Sequence, residues 1–167
     1  MMIPLHMRFS DVDSYGHINN VIMVRYFEDA RVRLTSLPLC ADGRPGAEGA
    51  DVRGGAGTTE GTAGSTTLRE TLDGALTVVV HQSVDYHRQL FFRTEPVYVR
   101  TWISRVGDSS FTIGYSLEEK DGSPVYASGE SVMVLLDPDT GRTRKLTEQH
   151  KALLAAVSDE PEEPHES

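Results

Sequence analysis

At 167 residues the chain is the size of one ordinary domain. It is 38% hydrophobic, with a formal net charge of −9. No basic excess supports a nucleic-acid partner, and no apolar run is long enough to span a bilayer. Cys40 stands alone, which excludes a disulfide framework and a Cys-based zinc site.

Taken in chain order, Leu5 to Phe9 is expected to form a short strand. Ile18 to Leu37 then places Met23, Phe27, Ala30, Leu34 and Leu37 at three- and four-residue steps, the spacing of one helical face. Ile22 and Tyr26 widen that face, which suits a helix largely enclosed by other structure. Asn19 or Asn20 can cap its start, and Pro38 lies just past its end.

Residues 41–67 contain no aromatic, Leu, Ile or Met, and eight of the fifteen glycines lie between Gly43 and Gly64. Such a stretch cannot bury enough apolar surface to offset its ordering entropy, so a flexible insert is expected. Beyond it the period switches to two. In 76–86 one face reads Leu76, Val78, Val80, Gln82, Val84 and Tyr86. Val97 to Val106 alternates Val97, Val99, Thr101 and Ile103 against Tyr98, Arg100, Trp102 and Ser104. Phe111, Ile113, Tyr115 and Leu117 mark a third strand, and 125–136 a fourth. Gly107-Asp108, Asp121-Gly122-Ser123-Pro124 and Asp137-Pro138 supply the turns. A short helix over 147–157 closes the domain. The ten residues from Ser158 hold five acids and no Lys or Arg, so without this tail the formal charge is −4.

Strand, long helix and four long antiparallel strands make an α+β domain in two layers, with a single domain over 1–157 and a disordered acidic tail over 158–167. One main helix cannot cover both faces of the sheet. Either the other face is wet or a partner subunit covers it.

The segment richest in chemistry is Arg8-Phe9-Ser10-Asp11-Val12-Asp13-Ser14-Tyr15-Gly16-His17-Ile18-Asn19-Asn20. Two carboxylates, a glycine turn, a histidine and two asparagines fall between a strand end and a helix start. A helix N-terminus offers unpaired N–H groups and the positive end of a dipole, a place that can hold a developing oxyanion. A carboxylate just upstream could attack a carbonyl or activate water. This composition suits ester or thioester hydrolysis without a metal.

Asp-x-Asp-x-x-Gly-His-x-Asn-Asn, followed by Arg25-Tyr26-Phe27-Glu28-Asp29-Ala30-Arg31, resembles the signature of the 4-hydroxybenzoyl-CoA thioesterase-like hotdog family. Asp85-Tyr86-His87-Arg88-Gln89-Leu90 resembles that family's first long strand after the helix. Arg105-Val106-Gly107-Asp108-Ser109-Ser110-Phe111 resembles its next hairpin. The resemblance covers about 3–37 and 76–146. It implies a five-stranded antiparallel sheet wrapped around a central helix, a homodimer or homotetramer, and a site at the subunit interface. It implies hydrolysis of an acyl-CoA with no cofactor, Asp13 as the catalytic carboxylate, and the Asn20 backbone N–H as the group that polarises the carbonyl. His17, Asn19 and Arg88 are the expected substrate-binding residues. Two departures stand out: the insert replaces a short connection, and Gln89 stands where relatives often have Pro.

Simpler roles compete at several positions. Asp11 suits turn chemistry, Asn19 and Asn20 suit capping, and Glu28 with Arg31 suits a helix-surface ion pair. Arg93, Arg100, Arg105, Arg142, Arg144 and Lys145 join Arg88 as candidates for the phosphates of coenzyme A. An acyl-carrier-protein thioesterase, a hotdog module that binds an acyl ligand without turnover, and a cation held by Asp11 and Asp13 are the rival readings. A cytoplasmic address follows from the lack of a basic-then-apolar signal pattern.

The composition of the insert generates a test. Replacing 42–66 with a short Gly/Ser linker is expected to leave folding cooperative and to change stability by about 1–2 kcal/mol or less, since loop entropy grows slowly with length. Urea unfolding of the deletion variant measures it.

Overall fold

The computed structural model describes residues 1–36, 67, 68, 72 and 76–158. Leu37, Pro38, the expected insert apart from Thr67, and the acidic tail after Ser158 lie outside the described residues. The long helix, α1, runs over Asn20–Ser36. Met23, Tyr26, Phe27, Ala30 and Leu34 are buried, so the three- and four-residue spacing does mark its inward face. Five strands in the order β1-β3-β4-β5-β2 form the sheet: β1 (Met2–Leu5), β2 (Leu76–Tyr86), β3 (Val97–Val106), β4 (Ser110–Glu118) and β5 (Val125–Leu136). A two-residue strand β6 (Thr143–Arg144) adds to β5. The helix α2 (Glu148–Ala156) packs on β3 and is capped by Thr147, whose side chain accepts from the His150 N–H. This is a hotdog arrangement: all pairings are antiparallel, and the sheet wraps α1.

The core lies between α1 and the inner face of β3–β4–β5. Phe27 of α1 stacks on Tyr115 of β4 with ring centroids 5.0 Å apart. Val97, Val99, Ile103, Phe111, Ile113 and Leu117 fill the space around that stack. Leu68 and Leu72 also enter this core, just beyond the glycine-rich stretch.

The outer face of the sheet is partly closed by its own side chains. β4 is buried on both faces from Phe111 to Glu118. Trp102 lies across Gly114, where an added Cβ would sit 2.5 Å from the indole ring. Arg100 Nε donates to Glu118 Oε1 at 2.7 Å, and Ser116 Oγ donates to Glu118 Oε2 at 2.6 Å. The centre of that face is therefore closed in part by its own side chains rather than simply wet.

Three expectations need correction. The first strand is Met2–Leu5 rather than Leu5–Phe9. Ile3 and Leu5 alternate into the core against β3, whereas Phe9 is 80% exposed in a single 3-10 turn over Phe9–Asp11. In β2 the alternation is broken by a bulge at Val80, between the pairs Val79–Met133 and His81–Val132. Thr77 and Val79 thereby share the inner face with Gln82, Val84 and Tyr86, while Leu76 and Val78 turn outward. Third, Arg31 is not a surface residue: its side chain is 13% exposed, and its guanidinium reaches Ser131 Oγ as well as Glu28.

Among the described residues β2 is an edge of the sheet with β5 as its one partner. None of its residues is fully buried, and Leu76, Val79, Val80 and Tyr86 are among the exposed large hydrophobics. Its pairing with β5 depends on close backbone approach at Gly129, where a Cβ would run into the Ser83 carbonyl oxygen. Gly129→Ala is therefore expected to destabilise the fold by about 1–3 kcal/mol, as overpacking against rigid backbone does. A lowered urea midpoint with an unchanged slope is the expected readout.

Candidate functional site

Between β1 and α1 the chain makes a miniature hairpin. Val12 bridges Ile18, and the Asp13 N–H donates to the His17 carbonyl at 2.8 Å. Gly16, at φ +83°, supplies the left-handed residue that the turn needs. Leu90 and Phe91 lie alongside: the Ile18 N–H donates to the Leu90 carbonyl at 2.8 Å, and His17 bridges Phe91. The His17 ring meets the Phe91 ring edge to face, with centroids 4.8 Å apart.

Asp13 is oriented by this hairpin. Its Oδ1 accepts from the Tyr15 N–H at 2.8 Å and from the His17 N–H at 3.2 Å. Its Oδ2 takes no hydrogen bond from the described residues. One oxygen is thus committed to the turn and the other remains available.

Asp11 has a different task. Its Oδ2 accepts from the Arg8 N–H at 2.8 Å and from the Tyr26 hydroxyl at 2.9 Å. This side chain ties the 3-10 turn to α1, the structural role that its composition suggested. Burial raises the Tyr26 phenol above the usual tyrosine range, and the hydrogen bond and charge of Asp11 add to that, so the hydroxyl remains a donor.

The start of α1 completes the arrangement. Asn19, not Asn20, is the cap: its Oδ1 accepts from the Val21 N–H at 2.9 Å, and its carbonyl accepts from Ile22 and Met23. The Asn19 N–H donates to the Asp11 carbonyl at 2.9 Å, binding the helix start to the hairpin. The Asn20 N–H has no acceptor among the described residues, so a backbone donor is left open at the positive end of the helix.

The other expected residues are placed as follows. The His17 ring is half-buried on Phe91. Arg88 is exposed just past β2, with its N–H on the Tyr126 carbonyl and no carboxylate partner among the described residues. Arg93 and Arg100 are held by Glu119 and Glu118, which leaves them poorly placed to serve a ligand. Tyr86 escaped the sequence reading: its hydroxyl donates to the Asn20 carbonyl at 3.2 Å. Position 86 in a strand pattern carries no signal of that contact, which exists only once β2 and α1 are packed. Among the described residues no three His, Cys, Asp or Glu side chains are grouped to hold a metal, and no helix is long and apolar enough to cross a membrane.

Comparison with known proteins gives the family of the chain. Residues 7–157 match the family model of the thioesterase-like superfamily, and the chain belongs to that family. It is 29% identical over 149 residues to the uncharacterised protein YsmA of Bacillus subtilis (strain 168), covering 88% of this chain and 80% of that one. A thioesterase of Thermus thermophilus, solved with coenzyme A and Zn, superposes with a TM-score of 0.64 at 24% identity, over 96% of this chain and 95% of its own. The DHNA-CoA thioesterase of Staphylococcus aureus gives 0.63 at 17% identity, over 90% and 86%. At those identities the two structures show the shared fold. The family makes this chain a thioester hydrolase.

Tyr26→Phe tests the tie between the turn and the helix. Losing a hydrogen bond to a partly buried carboxylate is expected to cost about 1.5–3 kcal/mol. Thermal unfolding beside the wild type measures the loss.

Proposed function

We propose that this thioester hydrolase cleaves acyl-coenzyme A to a free acid and coenzyme A, with Asp13 as its carboxylate and the Asn20 N–H as its oxyanion donor. The observation that carries the reading is the Asn20 N–H, which has no acceptor among the described residues, backbone-linked to a hairpin that presents an Asp13 oxygen with no donor among them. A thioester carbonyl between these groups would be polarised by the helix start while the carboxylate acts on its carbon or on water. As a general base, Asp13 takes a proton from water, whose oxygen adds to the carbonyl carbon. As a nucleophile, it forms an acyl anhydride that water then opens. Either way the C–S bond breaks and the thiolate leaves, to be protonated to free coenzyme A. In a single turnover in ¹⁸O-water, solvent oxygen found in Asp13 reports the nucleophilic route with water opening the anhydride at the Asp13 carbonyl, whereas trapping of an acylated Asp13 reports that route whichever carbonyl water attacks.

His17 and Asn19 line the approach, and Arg88, which has no carboxylate partner among the described residues, supplies a cation for a phosphate of coenzyme A. The reading takes the reaction to be metal-independent and cytoplasmic. The open edge at β2 supports a homodimer in which two such edges meet beside the site, since Tyr86 of that edge already touches the helix start. Light scattering is expected to give at least a dimer at micromolar concentration; a stable, active monomer would remove the shared site.

Asp13→Asn keeps size but removes both base and nucleophile. Its turnover of an acyl-CoA panel is expected to fall 10²–10⁴-fold, about 3–5 kcal/mol in barrier, with binding retained. Asp11→Asn is expected to cost clearly less, and a chelator to leave the wild-type rate unchanged. Near-normal turnover by Asp13→Asn, or activity lost to the chelator and restored by a cation, contradicts the mechanism.

A further inference from the structure

We propose that Tyr86 is a positioning residue for the reaction, acting through its hydroxyl on the Asn20 peptide. This rests on the reading that the Asn20 N–H polarises the substrate carbonyl. Asn19, Asn20 and Val21 at the start of α1 are exposed, so core packing reaches this turn only through Ile22 and Met23 on its inner side. Two of its hydrogen bonds are local: Asn19 N–H to the Asp11 carbonyl, and Val21 N–H to Asn19 Oδ1. Both would move with the Asp13 hairpin and the helix start together. Among the described residues, the one side-chain hydrogen bond that ties this turn to the sheet comes from Tyr86, 66 residues away, to the Asn20 carbonyl.

The geometry explains why that oxygen matters. The N–H and C=O of Asn20 flank a single Cα, so holding the carbonyl restricts the two torsions that aim the N–H. Tyr86 itself comes from fixed backbone. It pairs with Ala127 at the end of β2, and the next residue, His87, donates its N–H to the Tyr126 carbonyl at 2.8 Å. Replacing Tyr86 with Phe keeps the ring and its packing and removes only the hydroxyl that reaches the Asn20 carbonyl. A group that contributes little to stability and fixes the direction of a donor is expected to affect rate rather than folding.

The test is Tyr86→Phe, which keeps the ring and the strand preference, assayed with an acyl-CoA beside Tyr98→Phe. Tyr98 lies on the outer face of β3, opposite Glu118, and among the described residues no hydrogen bond links it to the helix start. For Tyr86→Phe, kcat is expected to fall about 10–100-fold, the scale of a small misplacement of a catalytic group. KM should stay within about twofold, the melting temperature should be nearly unchanged, and the shape of the pH profile should be retained. Tyr98→Phe should match the wild type. Unchanged turnover, a rise in KM with kcat retained, a fall in melting temperature that tracks the lost activity, or disappearance of an alkaline limb from the pH profile would each overturn the proposal; the last would make the hydroxyl a proton donor instead. If Asp13→Asn is inactive and Tyr86→Phe is normal, only the role of Tyr86 fails. If Asp13→Asn turns over normally, the underlying mechanism fails with it.

Discussion

The arrangement depends on the burial of α1 against the middle of the sheet. Phe27 stacked on Tyr115, with Met23, Ala30 and Leu34 on the same stripe, fixes the depth and direction of the helix. Each such large side chain contributes about 1.5–3 kcal/mol when fully buried, so the axis is held far more firmly than any surface contact could hold it. Its N-terminus is consequently delivered to one place, at the mouth of the Asp11–Asn19 hairpin. There the helix offers its open N–H, and the hairpin offers a carboxylate with one oxygen already committed to the turn. Packing in the core and chemistry at the rim are thus two ends of a single rigid element.

The two acids of the motif show how closely similar groups can be separated by their surroundings. Asp11 spends one oxygen on Arg8 and Tyr26 and serves as a strut. Asp13, two residues on, is aligned by backbone donors of its own turn. The division of labour comes from the local backbone path: the 3-10 turn faces Asp11 toward α1, while the glycine turn folds the Tyr15 and His17 amides back onto Asp13. The same closeness links the site to the open edge, since the loop after β2 runs alongside His17 and Ile18.

Much of this was legible in the residues. The period of α1, the meander from Val97 to Leu136 and the punctuation at Gly107, Asp121-Gly122 and Asp137-Pro138 all state local preferences that the fold respects. The hairpin motif was visible because it compresses turn, cap and carboxylate into a dozen consecutive positions. What escaped depends on contacts between distant segments. The bulge at Val80 comes from the fit of β2 to β5, and a run rich in valine has no marker for it. The outer face closes through Trp102 on Gly114 and Arg100 on Glu118, pairs that exist only across strands. Leu68 and Leu72 reach the core from the edge of a glycine-rich stretch that has no period to announce them. Tyr86 read as one more member of an alternating strand, and Arg31 as one half of a surface pair.

On the proposed reading, the N–H of Asn20 meets the acyl carbonyl beside Asp13. Amide chemical-shift mapping of the full ¹⁵N-labelled protein, titrated with a non-hydrolysable ketone analogue of an acyl-CoA, tests it most directly. A large downfield shift of the Asn20 amide is expected as its hydrogen bond forms, with accompanying changes at Tyr15 and His17, whose N–H groups hold Asp13. Saturable binding of the analogue that leaves Asn20 unmoved and shifts residues elsewhere would contradict it.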